Sequence, residues 1–87
     1  MDPKALVEAA LFVADRPLSP AELAHGLDLP EHAVLESLAA LAEDLEESDR
    51  GLELGQEAGG YVLRVKAEVA ERVRRFAPHQ DLSEQTL

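Results

Sequence analysis

A mainly α fold carrying one small β-hairpin is what this 87-residue sequence predicts. Three observations lead there. Two capped helical patterns follow each other closely between Ser19 and Ser48, a third pattern precedes them, and beyond Gly51 the apolar spacing changes from helical to alternating around Gly59-Gly60.

The first pattern opens at Asp2-Pro3, a side-chain acceptor followed by proline at the first helical position. It is expected to end near Ala14 or Asp15, because Arg16 precedes Pro17 and the residue before proline disfavours the helical region. Lys4, Glu8 and Asp15 share one narrow polar strip, and apolar residues from Ala5 to Ala14 occupy almost all the rest. A helix packed on one core needs an apolar stripe of little more than a third of its circumference. This helix has about twice that and is expected to serve two surfaces. Leu6, Ala10 and Val13 can face the domain's own core, which leaves Val7, Leu11 and Phe12 as candidate contacts for a second copy of the chain.

Ser19-Pro20-Ala21-Glu22 is a capping box, with reciprocal bonds expected between Ser19 and Glu22. Leu18 before it is placed to act as a hydrophobic staple. The helix is expected to stop at Gly26, a natural left-handed residue, with Leu27-Asp28-Leu29 as the turn. The long third helix then begins with Pro30 at its first position and runs to Ser48. Val34, Leu38, Leu41 and Leu45 lie on one face, while Glu31, Glu36, Glu43, Asp44, Glu46 and Glu47 occupy the other. After Gly51, Leu52 and Leu54 alternate with Glu53 and Gly55, and Tyr61, Leu63 and Val65 alternate with Val62, Arg64 and Lys66, so a hairpin with its tip at Ala58 to Gly60 is expected. A last helix is expected over Ala67 to Ala77, with Val69, Val73 and Phe76 in one stripe and Pro78 as its stop. Three helices, a two-stranded wing and a C-terminal helix define a winged helix-turn-helix over residues 1–78, with 79–87 as a linker.

Charge separates this chain from most proteins of that shape. The net charge is −10, and all of it lies in residues 1–49, where Lys4 and Arg16 face twelve acidic side chains. The helix that would enter the major groove presents carboxylates, which phosphate repels. A DNA-binding transcription regulator is therefore the second choice, and protein partners are the first. Arg64, Lys66, Arg72, Arg74 and Arg75 form a local basic group suited to weak phosphate contacts or to acidic segments of a partner. The chain has no cysteine, no signal-peptide pattern and no run of roughly 20 apolar residues, so a soluble cytoplasmic protein is expected. His25, His32 and His79 have no partner at catalytic or metal-ligand spacing, and no glycine-rich loop opens a helix. No catalytic residue, metal or cofactor is expected.

Taken together, Lys4-Ala5-Leu6-Val7-Glu8-Ala9-Ala10-Leu11-Phe12-Val13-Ala14, Arg16-Pro17-Leu18-Ser19, the Glu-rich third helix, Asp49-Arg50-Gly51-Leu52-Glu53-Leu54 and Ala58-Gly59-Gly60-Tyr61-Val62-Leu63 resemble the start of bacterial segregation and condensation protein B. The resemblance implies two consecutive winged helices, with Leu82-Ser83 to Leu87 as the truncated start of the second. It also implies a non-enzymatic subunit of the SMC condensin complex, acting in chromosome condensation and segregation. Its partners would be a second copy, the kleisin (segregation and condensation protein A) and, through the complex, the SMC ATPase, in association with the nucleoid. No sequence-specific nucleic-acid or membrane binding is implied.

Overall fold

The computed structural model describes residues 1–47 and 49–77, and the expectation for 79–87 lies outside these. Helices α1 (Pro3–Val13), α2 (Pro20–Leu27) and α3 (Glu31–Glu47) come first. Strands β1 (Leu52–Glu57) and β2 (Gly60–Val65) follow, then α4 (Ala67–Val73) and a 3₁₀ turn, Arg74–Phe76. This is the winged helix-turn-helix expected from the sequence.

One core joins these elements. Val7 and Leu11 of α1, Leu23 of α2, and Val34, Leu38, Leu41 and Leu45 of α3 are all buried. The side chains of Leu18, Leu54, Tyr61 and Leu63 close it from the hairpin side. Helices α1 and α2 begin as their sequences dictate. Asp2 Oδ1 accepts from the Lys4 N–H at 3.0 Å. At α2, Ser19 Oγ accepts from the Glu22 N–H at 3.0 Å while Glu22 Oε1 accepts from the Ser19 N–H at 2.9 Å. That backbone bond, reinforced by Arg16, holds the Glu22 carboxyl below its usual pKa. The contribution is complete at neutral pH and fades as acid protonates Glu22 through its lowered pKa.

Two helix ends differ from expectation. The left-handed residue after α2 is Asp28 (φ 58°, ψ 49°), while Gly26 lies within the helix. Asp tolerates this conformation better than most residues, and its N–H satisfies the Ala24 and His25 carbonyls. Pro30 sits one place earlier than expected, outside α3, with its carbonyl accepting from Ala33 and Val34 at 3.0 and 3.2 Å. The last helix is also shorter, because it tightens into the 3₁₀ turn at Arg74.

The hairpin pairs Leu52 with Val65, Leu54 with Leu63 and Gln56 with Tyr61 on one face, from which Leu54, Leu63 and Tyr61 pack on the core. Glu53 with Arg64 and Gly55 with Val62 form the other side. Its tip has positive φ at Ala58 (48°) and Gly59 (77°), as a type I′ turn requires. Gly60 has a different role. Leu18 lies beside β2 as a one-residue strand, exchanging hydrogen bonds with Tyr61 at 3.0 and 2.8 Å. A Cβ on Gly60 would sit 2.9 Å from the Leu18 backbone. Gly60→Ala is expected to cost about 1–3 kcal/mol by forcing this strand away. Urea unfolding measures the loss, and an unchanged midpoint would show that the approach is not required.

Candidate protein-docking surface

Helix α1 presents two different apolar faces. Val7 and Leu11 are 0% and 3% exposed and pack in the chain's own core, with Leu11 also at the base of the groove beside Phe12. Val13, expected inside, is 77% exposed, and Phe12 is 76% exposed. The reason is rotational. Phe12 lies one residue, about 100°, round the helix from Leu11. Because α1 is apolar on nearly every side, its periodicity does not select which face packs on α3.

Phe12 stands at the edge of a groove of about 800 Å³. The end of α1, the hairpin and α4 form its walls, with Ala14, Leu52, Val62, Val65, Ala67 and Ala70 among the apolar lining. Glu53, Glu57, Glu71, Arg64 and Arg74 supply its charges. Arg64 is held there by two carboxylates, Nε to Glu53 at 2.8 Å and Nη1 to Glu57 at 3.0 Å. The Glu53 bond above all keeps the guanidinium pKa raised. Gly55 lies buried beneath it, and a Cβ there would come within 2.5 Å of Arg64 Cζ. Arg74 donates to Glu71 at 2.7 Å.

The basic group that looks continuous in sequence is therefore divided by its pairings. Arg64 and Arg74 are engaged in the groove, and Lys66 Nζ donates to the Leu45 carbonyl at 3.1 Å, covering the C-terminal end of α3. Arg75 stacks over the Phe76 ring at 5.3 Å, and Arg72 is exposed on α4. The sequence contained the opposing Glu53, Glu57 and Glu71 but not the register that brings them to the arginines.

The outer face of α3 is acidic as expected. Glu31, Glu36, Glu43, Glu46 and Glu47 are exposed, alongside His32 and a half-exposed Leu35. Asp44 forms an ion pair with Lys4 at the start of α1, which raises the lysine pKa. Among the described residues no His/Cys/Asp/Glu group is arranged to hold a metal ion, and no helix is long and apolar enough to cross a membrane.

A helix-turn-helix with an acidic third helix and a two-stranded wing, carrying a partly apolar groove on another side, defines the class as a winged helix. The family model described as "Segregation and condensation complex subunit ScpB" matches residues 5–87. This chain belongs to that family. It is 41% identical over 74 residues to segregation and condensation protein B of Geobacillus thermodenitrificans, covering 84% of this chain and 35% of the relative. It is 36% identical over 87 residues to that of Bacillus licheniformis, covering 97% and 44%. The chain thus spans less than half the length of these relatives. Among solved structures, a dimer of the ScpB N-terminal domain complexed with ScpA peptide matches with a TM-score of 0.75 and 31% identity, over 85% of this chain and 93% of that one. ScpB from Mycobacterium tuberculosis matches with a TM-score of 0.77 and 28% identity, over 85% and 46%.

Proposed function

We propose that this winged helix is a homodimerisation and protein-docking module of the bacterial SMC condensin complex and performs no chemistry of its own. The observation that carries the reading is the exposure of Phe12 and Val13 beside a partly apolar groove, on a domain whose α3 face is acidic. The ScpB neighbour solved as a dimer with ScpA peptide supports both halves of it. In this reading the domain is a rigid joint. It brings two copies together, so that one assembly presents two sites for the kleisin, and through the kleisin the SMC ATPase. Chromosome condensation and segregation, in the cytoplasm at the nucleoid, then follow from assembly rather than from catalysis. In this reading the interface centres on Phe12, and the exposed Arg72 and Arg75 are available to acidic partner segments.

Sedimentation equilibrium of the chain at micromolar concentrations tests the pairing, with a dimer expected and a monomer at every concentration overturning it. A duplex-DNA titration across salt concentrations separates the docking module from a transcription regulator. Each phosphate neutralised contributes a slope of roughly −0.9 in log K against log salt. We expect no binding at micromolar protein near physiological salt. Tight binding with a slope of several units would favour the regulator.

A further inference from the structure

The hairpin leaves one edge of its sheet open. We infer that this edge, along β1, takes an extended segment of a partner protein in which basic and apolar residues alternate, bound as an added strand. The inference rests on the docking part of the reading above, gives it a place and a chemistry, and does not depend on how two copies pair.

Backbone accounting locates the free groups. The sheet has two strands, and at its base the Lys66 N–H donates to the Gly51 carbonyl at 2.8 Å. Hydrogen-bonded and non-bonded pairs alternate along an antiparallel ladder, so Glu53 with Arg64, Gly55 with Val62 and Glu57 with Gly60 share the inward bonds. Tyr61 gives the same phase, since its N–H and carbonyl turn away from Gln56 to meet Leu18. The N–H and carbonyl groups of Leu52, Leu54 and Gln56 therefore point off the other edge. Among the described residues no helix, loop or side chain takes them. Edge strands are commonly blunted by lysine, proline, a bulge or extreme shortness. Strand β1 has six residues in unbroken register and neither lysine nor proline. The domain already uses strand addition once, where Leu18 closes on β2 through its two bonds with Tyr61.

Charge selects the occupant. Residues 43–57 carry seven acidic side chains and one basic. Glu53 and Glu57 lie on the same face of β1, and Arg64, reaching over Gly55, bonds Oε2 of each at 2.8 and 3.0 Å. One guanidinium against two carboxylates leaves that face negative, and a carboxylate can accept more bonds than this contact uses. Residues of an added strand that stand opposite Glu53 and Glu57 share their face, where lysine or arginine gains a cross-strand pair. The alternate residues stand beside Leu52, 37% exposed, and Leu54, where apolar side chains extend the covered surface. Exposed Glu43, Glu46 and Glu47 on the last turns of α3, which packs on β1, add to the attraction. In this mode main-chain bonds give affinity and alternate side chains give specificity. A second copy does not suit the edge, because its own Glu53 and Glu57 would come beside these carboxylates. Nucleic acid has the wrong sign and no strand to add.

Nuclear magnetic resonance of the isotope-labelled chain tests this with three terminally blocked peptides of equal length. One alternates valine and lysine, one has the same composition with the valines and lysines in separate blocks, and one alternates valine and glutamate. The alternating valine–lysine peptide is expected to slow hydrogen exchange at the Leu52, Leu54 and Gln56 amides and to bind roughly tenfold more tightly than the block peptide. The glutamate peptide is expected not to bind. Gln56→Pro removes one outward donor without touching the hairpin's own bonds, a position where an edge strand tolerates proline. It should keep the parental Tm and weaken the valine–lysine peptide by roughly tenfold. The exchange measurement on the unmodified chain stands whether or not the variant keeps its fold. Shifts confined to α3, or equal affinity for the alternating and block peptides, would overturn strand addition while leaving docking in place. No change at the β1 amides up to millimolar peptide overturns it as well. The docking reading falls separately, if the kleisin fails to associate with this chain.

Discussion

Replacing Leu41 with alanine destabilises the domain by about 2–5 kcal/mol, the expected loss for a large apolar side chain in a packed interior. Leu41 is 2% exposed and lies midway along the apolar face of α3. That helix packs against α1, α2 and β1, so few elements can shift to fill the space without separating others. For a chain of 87 residues, total stability of about 0.05–0.15 kcal/mol per residue leaves little in reserve. Each kcal/mol lowers Tm by roughly 4–8 °C at this size. Calorimetry with Leu35→Ala as the control makes the comparison within one helix. Leu35 is 47% exposed, and its truncation should shift stability by no more than about 0.5–1 kcal/mol. Equal losses at the two positions would mean that α3 does not pack with the rotation described.

That rotation was readable from sequence because α3 is polar on one side. Glutamates on its far face leave Val34, Leu38, Leu41 and Leu45 one orientation, and all four are buried. The same reasoning fails on α1. There Leu6-Ala10-Val13 and Val7-Leu11-Ala14 are equally good stripes, and only the placement of α3 and the hairpin selects the second. The turn residues show a similar limit. Gly59 adopts the positive φ expected of it, but Gly60 is needed for the approach of Leu18, a contact between residues 42 positions apart. The α2 end lies at Asp28 and not Gly26 because the helix continues through Gly26 to Leu27, which packs against the core. The basic group was legible as composition and illegible as surface. Arg64 meets Glu53 through the hairpin register and Glu57 by reaching across Gly55. No local pattern announces that pair of contacts.

Phe12→Glu separates the interface from the fold. The ring lies outside the core, so the substitution should leave Tm within a few degrees of the parent, whereas Val7 or Leu11 truncation would lower it like Leu41→Ala. Association responds differently. Burying a phenylalanine contributes about 1.5–3 kcal/mol, and a two-fold interface loses the contribution twice. At about 1.4 kcal/mol per decade, the dimer constant is expected to weaken by roughly two to four orders of magnitude. The introduced carboxylates act in the same direction, since burying each at an interface removes its hydration without supplying a partner. Sedimentation and calorimetry on the same preparation therefore distinguish three cases. A monomer with parental Tm places the interface on Phe12. A dimer of parental affinity removes Phe12 from the interface. A lowered Tm would mean that the ring is covered by its own chain, contrary to its 76% exposure, and would move the search for the second copy's contact to Phe76, the other exposed aromatic side chain among the described residues.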